Sequence, residues 1–362
     1  MPAKRILIDL SKLRQPMCGL GQIALNYGRW YSLNAAALRP KLDITLLVPR
    51  SYIGAFGNDV HYLEDRRIYT ILPSLMPRFD LWHAIHQRSS FHPPASVKNY
   101  ILTIHDVNFI HEKGRLKQRK YIHRLQQKCD RATYITFISC FALDDTQRFI
   151  DLHSTPTEVI YNGVEDLTLG TQTPPAIPFL PPKTSLNTQH SSPNIPFFLA
   201  IGEVKEKKQL HTLLPLMDLM PDYQLVIAGN DRTPYARHLK AQLSLHPNVH
   251  IIGTVTDAQR RWLYSHCEAL LFPSVAEGFG LPLIEAMQWG KPVFCSDKTS
   301  LPEIGGIHAH YFHTTDPVAM QQTIATGLAA HSRQKALEEQ AYAASFSYEK
   351  HMRKYVDLYL NL

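Results

Sequence analysis

Long apolar runs are missing from these 362 residues, and no stretch approaches the ~20 apolar residues that a membrane helix requires. Cysteine is scarce: Cys18, Cys129, Cys140, Cys267 and Cys295 are five scattered positions without a C-x-x-C pair. An odd, dispersed set argues against a disulfide framework or a zinc module and fits reduced thiols in a cytoplasm. Lys4 and Arg5 are followed only by Ile6, Leu7 and Ile8 before Asp9, too short an apolar stretch for a signal-peptide core, so a cytoplasmic protein is expected. Apolar residues make up 44% of the chain, which excludes disorder, and the length predicts two domains, each with its own core.

Charge is unevenly spread. Residues 1–165 hold 22 Lys and Arg against 14 Asp and Glu, whereas residues 166–362 hold 16 against 17. A basic first half suits phosphates, anionic lipid or nucleic acid. Residues 113–131 concentrate eight Lys and Arg with one acid, Asp130. On a helix this makes a face for anionic lipid, with Leu116, Tyr121 and Leu125 adding apolar contact. The bland alternative is a solvated face. Aromatic residues are not interleaved with this stripe and no reading motif accompanies it, which argues against nucleic acid as a partner.

Residues 166–196 carry seven prolines, one Lys and one Asp, and read as a linker between domains. On both sides of it, short apolar runs alternate with helical patterns. Strands are predicted at Arg5–Leu10, Asp43–Val48, Ile101–His105 and Tyr134–Ser139, and at Phe197–Ile201, Gln224–Ala228, Val249–Ile252, Ala269–Phe272 and Pro292–Cys295. Helices are predicted near Gln22–Leu38, Arg115–Lys128, Gln209–Met220, Pro234–Ser244 and Asp257–Ser265. Apolar strands alternating with helices imply an α/β fold of two doubly wound parallel sheets. Ligands of such sheets bind at the carboxyl ends of the strands.

The densest cluster of signals is P-S-V-A-E-G-F-G-L-P-L-I-E-A-M-Q-W-G-K-P, Pro273 to Pro292. A strand ends at Pro273, Pro282 suits the first turn of a helix, and Gly290 with Pro292 closes that helix. Gly278 and Gly280 leave bare backbone before the helix start, where amides and dipole favour an anion. Glu277 in the loop and Glu285 about one turn into the helix flank this phosphate cradle and are placed to accept from sugar hydroxyls. Their alternative reading is an ordinary solvated loop residue and a first-turn Glu favoured by the dipole.

E-G-F-G-L-P-L-I-E-A-M closely resembles the E-x7-E signature of retaining glycosyltransferases of family 4. The resemblance implies the GT-B fold, two Rossmann-like domains facing across a cleft. It implies that Glu285 binds the nucleotide ribose and Glu277 lies near the donor sugar, with Gly278, Phe279, Gly280 and Leu281 on sugar and diphosphate. Gly202 at a strand end, followed by Lys207 and Lys208, resembles the family's glycine and basic pair, which hold the donor diphosphate. That pair is commonly Arg-Lys in the family, and the acidic Glu203 after the glycine is a further departure. L-V-I-A-G, V-H-I-I-G-T-V and T-S-L-P-E-I-G-G (ending at Gly229, Val255 and Gly306) extend the resemblance, which places Thr254 and Val255 beside the base. The likeness of this half covers about residues 197–359.

In the first half, Gly19-Leu20-Gly21-Gln22-Ile23-Ala24 fits G-x-G-x-x-A, a weak dinucleotide signal. The second strand ends in Pro49-Arg50 rather than in an acid, so the NAD reading is rejected. The resemblance instead sets Gly19 and Gly21, as a glycine-rich loop, opposite the donor diphosphate. I-L-T-I-H-D places His105 at a strand end, and resemblance gives it contact with the donor sugar, its carbonyl near the anomeric carbon. The alternative is a strand-end His bonded to Asp106.

These readings converge on a metal-independent retaining hexosyltransferase without a resident cofactor. Residues 1–165 form its acceptor-side domain with 346–362 packing back on it, and 197–345 its nucleotide-sugar domain. Likeness to surface-polysaccharide mannosyltransferases favours GDP-mannose as donor, with UDP- or dTDP-sugars as alternatives. The partners expected are a glycan or lipid-linked acceptor and, through residues 113–131, the anionic inner face of the plasma membrane. A binding-only relative is the alternative outside catalysis.

Overall fold

The computed structural model describes residues 2–16, 18–112, 114–179 and 195–362. The chain divides into two compact units, one running to Gly163 and joined by Tyr348–Leu362, the other Val164–Ser347.

The first unit holds β1 (Lys4–Asp9), β2 (Leu42–Val48), β3 (His61–Glu64), β4 (Leu81–Ala84), β5 (Asn99–Ile104), β6 (Tyr134–Phe137) and β7 (Thr157–Val159). All pair in parallel, in the order β3-β2-β1-β4-β5-β6-β7. Consecutive residues Ile6, Leu7 and Ile8 are all fully buried, as a strand covered on both faces requires. The second unit holds β8 (Phe197–Ile201), β9 (Gln224–Ala228), β10 (Val249–Gly253), β11 (Ala269–Phe272), β12 (Val293–Ser296) and β13 (His310–Phe312). It too is parallel, in the order β10-β9-β8-β11-β12-β13. In each sheet the direction of winding reverses beside the first strand, between β1 and β4 and between β8 and β11. Each reversal opens a crevice at the carboxyl ends of the strands, where doubly wound sheets receive ligands.

Two expectations are corrected. The helix predicted from Gln22 begins at Gly19, so Gly19 and Gly21 stand in its first turn rather than in a loop. A Cβ on Gly21 would lie 2.1 Å from the Gln15 carbonyl oxygen, so this residue lets the preceding chain cross the helix closely. The stretch expected to be only a linker is partly packed. Leu167 and Ile177 are buried, and the Leu167 amide donates to Gln288 Oε1 at 3.0 Å. Over residues 166–179 the prolines disfavour regular elements but do not stop single side chains from anchoring to the second unit. Residues 180–194 of that stretch lie outside the described residues.

The last helix, Tyr348–Asn361, completes the first unit through a buried network of rings and hydroxyls. Tyr27 Oη lies 2.8 Å from His351 Nε2, and Tyr31 Oη 2.8 Å from Tyr359 Oη. His83 is held by Tyr359 Oη at 2.6 Å and Thr103 Oγ1 at 2.8 Å. Burial keeps these rings neutral. It lowers His351 and His105 to about 4, and His83 and His86 well below their ordinary 6.5. The unfolded chain therefore binds more protons than the folded one between pH ~6.5 and ~4. Stability is fully present above that window and is lost as the pH falls through it, at up to about 1.4 kcal/mol per pH unit for each ring. Asp9, raised by burial, and Glu339, pushed up by burial to about 7, oppose the trend, but they are outnumbered by the buried histidines. Melting followed by circular dichroism is expected to fall steeply from pH 7 to pH 5; an unchanged melting temperature would contradict the buried neutral histidines.

Candidate functional site

The carboxyl ends of β8 and β11 bring together residues separated by some seventy positions in sequence. After β8 the chain passes Gly202, whose φ is +134°, and enters a single turn of 3-10 helix at Glu206–Lys208. This turn faces the loop that follows β11. The Val275 amide donates to the Lys207 carbonyl at 2.9 Å. Lys208 Nζ lies 2.5 Å from Glu277 Oε1 and 4.5 Å from the centre of the Phe272 ring. Ser274 Oγ approaches the same carboxylate oxygen at 2.5 Å. Lys208 and Glu277 keep 14% and 15% of their side-chain exposure, so the pair is largely desolvated but still reachable. In such surroundings the ammonium interacts more strongly with any charge brought to it than at an open surface.

The loop after β11 is braced from behind. Ser300 Oγ donates to the Phe279 carbonyl at 2.9 Å, and Ser296 Oγ to that of Ser274. Gly280 then opens the helix Leu281–Gln288 with φ +111°, a conformation strained for any other residue. A Cβ there would also fall 2.8 Å from Leu301 Cδ2. Pro282 stands in the first turn and costs no hydrogen bond there. The positive end of the helix dipole thus lies in the same loop as Glu277, the partner of Lys208.

Glu285 projects from the same helix and is largely buried, 9% exposed. Its Oε2 accepts from Tyr264 Oη at 2.7 Å, and its Oε1 lies 3.5 Å from Arg260 Nη1. Thr254 and Val255 follow β10, between Gly253 and the helix Asp257–His266. Thr256 caps that helix, its Oγ1 accepting from the Gln259 amide at 3.2 Å.

Gly19, Gly21 and His105 belong to the first unit. His105 follows β5 and is 5% exposed. Its Nε2–H donates to the Ile85 carbonyl at 2.8 Å, and its own amide donates to Gln87 Oε1 at 3.1 Å. The imidazole's partner is thus a backbone carbonyl after β4 rather than the neighbouring Asp106. A neutral ring with its proton on Nε2 leaves Nδ1 as an acceptor, suited to a hydroxyl donor. Gly19 has nothing within 4 Å of where a Cβ would stand.

The second unit thus gathers Lys207, Lys208, Glu277 and Gly278–Leu281 around one strand–loop–helix turn, with Glu285 further along that helix. Sequence reasoning missed Ser274, Ser300, Arg260 and Tyr264. The last two stand four positions apart on one helix and so share a face, but only the strand order shows that Glu285 meets them.

Residues 184–344 match the Glycosyl transferases group 1 family. The chain is 27% identical over 241 residues to an O-antigen chain mannosyltransferase, RfbU, of Salmonella typhimurium, covering 65% of this chain and 63% of that protein. It is 26% identical over 255 residues to O-antigen chain mannosyltransferase B of Escherichia coli, covering 64% and 63%. These matches therefore span less than two thirds of either relative's own length. Among solved structures, Anabaena Alr3699/HepE in complex with UDP-glucose superposes with a TM-score of 0.74 at 17% identity, covering 99% of this chain and all of that one. Such low identity speaks to fold alone. The fold of this chain is thus GT-B, two parallel-sheet Rossmann-like domains, and its residues 184–344 are similar to the Glycosyl transferases group 1 family.

Proposed function

We propose that this protein is a retaining, metal-independent glycosyltransferase that moves a hexose from a nucleotide diphosphate sugar to a glycan or lipid-linked acceptor in surface polysaccharide or lipopolysaccharide synthesis. The observation that carries the reading is the half-enclosed Lys208–Glu277 pair at the mouth of the helix Leu281–Gln288. Two lysines and a helix N-terminus answer a diphosphate; a carboxylate beside them answers sugar hydroxyls. Likeness to two O-antigen mannosyltransferases favours GDP-mannose as donor. UDP- and dTDP-sugars are the alternatives, UDP-glucose being bound by the structural neighbour HepE.

In the reaction the bond between the anomeric carbon and the diphosphate oxygen breaks, and its electron pair stays on the diphosphate. Lys207, Lys208 and the amides of Gly278–Leu281 would meet that developing charge, stabilisation that grows toward the transition state. The acceptor hydroxyl forms the new bond on the same face of the sugar and gives its proton to the departing phosphate oxygen. Glu277 would fix the sugar through its hydroxyls, Glu285 the ribose, and Thr254 and Val255 the base. The test is transfer from GDP-[1-13C]mannose, in EDTA, to lipid-linked acceptors from a polysaccharide-producing membrane. An α-linked product supports the reading, and a β-linked product or a requirement for divalent metal contradicts it.

Membrane contact at a cytoplasmic leaflet is proposed with it. No helix among the described residues is long and apolar enough to cross a bilayer. The helix Arg115–Cys129 exposes Arg115, Lys117, Arg119, Lys120 and Arg124, with Leu116 84% exposed. Of the apolar residues expected to help, Leu125 faces the core and Tyr121 packs on Phe109 with ring centres 5.4 Å apart. Replacing Arg119, Lys120 and Arg124 by Gln is expected to lower sedimentation with vesicles containing anionic phosphatidylglycerol by about tenfold at 0.1 M salt, at roughly 1 kcal/mol per charge before screening. Unchanged sedimentation would remove this face from the proposal.

A further inference from the structure

A carboxylate that accepts from a ribose diol must hold its plane still, yet the last torsion of a glutamate is soft and broad. Glu285 has a partner at each of its two carboxylate oxygens. Tyr264, fully buried, donates its hydroxyl to Oε2 at 2.7 Å. Burial, and then the charge of Glu285, push the tyrosine hydroxyl well above its ordinary value, so it stays a donor. Arg260 flanks the other oxygen, its Nη1 3.5 Å from Oε1, too far for a good hydrogen bond but near enough to hold it by charge. The Nη2 of Arg260 is engaged by Glu165 Oε2 at 3.1 Å and stands 3.6 Å from Asp257. Glu165 also receives Arg261 at 3.4 Å. One carboxylate oxygen of Glu285 is thus tied, and the other is oriented but keeps lone pairs to offer.

We propose that Tyr264 and Arg260 are positioning residues that lock the Glu285 carboxylate for a 2′,3′-diol, and that through it they set the preference of this site for ribonucleotides over 2′-deoxyribonucleotides. The proposal rests on the reading of Glu285 as the ribose ligand. Neither residue needs to touch the nucleotide. Loss of either partner frees the torsion, so the oxygen facing the diol is in place for a smaller fraction of the time. A ligand without the 2′-hydroxyl has less to lose from that freedom.

The experiment is isothermal titration in EDTA of GDP against 2′-deoxy-GDP, and of UDP against 2′-deoxy-UDP, with the wild type and Tyr264→Phe. For whichever base binds, the wild type is expected to favour the ribonucleotide by at least about 10-fold, as a hydrogen bond to a charged group would give. In Tyr264→Phe that preference is expected to shrink to about threefold or less, while deoxyribonucleotide binding changes by less than about twofold, in the sense a lost orientation predicts. A merely structural tyrosine would weaken both ligands alike and leave their ratio intact. That result, or an undiminished preference in the variant, overturns the proposal. A wild type that binds but does not discriminate overturns the ribose reading of Glu285 and the inference with it, as does a folded wild type that binds neither pair. If Tyr264→Phe does not fold, Arg260→Gln is expected to reduce the ratio in the same direction, and an unchanged ratio in that variant overturns the proposal equally.

Discussion

Lys208→Ala is expected to lower transfer by roughly 10²–10³-fold, the loss typical when one preorganised donor to a developing anion is removed. The ammonium stands at the end of a chain of constraints. Gly202 turns the backbone away from β8 with φ +134°, and the site of its missing Cβ lies 3.6 Å from Lys208 Nζ. Phe272 supports the ammonium from below, and Glu277 Oε1 holds it at 2.5 Å. Bringing in a diphosphate adds negative charge beside a cation already partly desolvated, so the interaction is strong without rearrangement of solvent. Alanine removes it and leaves Glu277 without its cation, which turns an attractive site for the donor into a repulsive one. Donor affinity is therefore expected to weaken by at least about tenfold, along with kcat. Lys207→Ala should cost less, since its backbone carbonyl continues to hold the Val275 amide. Initial rates decide the matter, and a Lys208→Ala enzyme within threefold of the wild type would remove this lysine from the reaction.

Gly229→Ala is expected to destabilise the second unit by about 3 kcal/mol or more, through backbone strain and overlap together. Gly229 has φ +141°, and a Cβ placed on it would stand 1.8 Å from the Gly202 carbonyl oxygen. That overlap cannot be relieved by a side-chain rotation, because both partners are main chain. Nor can the strands simply part. The Gly229 amide donates to the Gly253 carbonyl at 2.7 Å, and the Gly202 amide to the Ala228 carbonyl at 2.9 Å. The ends of β8, β9 and β10 are thus pinned together at the edge of the candidate site. At 2–4 °C per kcal/mol for a unit of this size, the loss corresponds to roughly 10 °C in melting temperature. Gly19→Ala is the control, since a Cβ there meets nothing within 4 Å and alanine favours a helix. It should be neutral or stabilise by up to about 1 kcal/mol. A Gly229→Ala protein melting within about 2 °C of the wild type would contradict the close crossing of β8 and β9.

What could be read from sequence follows how strongly each element marks itself. Phe197–Ile201 and Ala269–Phe272 are apolar throughout and Gln224–Ala228 after its first residue, each is followed by Gly or Pro, and their predicted limits coincide with β8, β9 and β11. His61–Glu64 and Thr157–Val159 are short, polar edge strands, and three or four residues carry no period to recognise. Gly19 and Gly21 read as loop residues because their G-x-G-x-x-A run resembles a glycine-rich loop. Only the passage of Gln15 over that first turn explains Gly21. In the candidate site, the turn from Pro273 to Pro292 is legible because its glycines, prolines and carboxylates lie in one run. Lys208 and Glu277 each stand out, but their pairing depends on β8 and β11 being neighbours. Tyr264 looks like one more apolar residue on a helix face, since its hydroxyl bond to Glu285 is a tertiary fact. The Ile85 carbonyl beside His105 is invisible for the same reason.

A nucleoside diphosphate site built around Lys208 is tested most directly by a thermal-shift series with GDP, UDP, dTDP and ADP in EDTA, run on the wild type and on Lys208→Ala. A ligand that binds only the folded protein raises its melting temperature by mass action, by about 2.7 kcal/mol of stability at 100 times its dissociation constant. A clear shift is expected with one nucleoside diphosphate, GDP first, without metal, together with its near disappearance in Lys208→Ala. No shift with any of the four in a folded sample, a shift that requires a divalent ion, or a shift undiminished in the variant would contradict such a site.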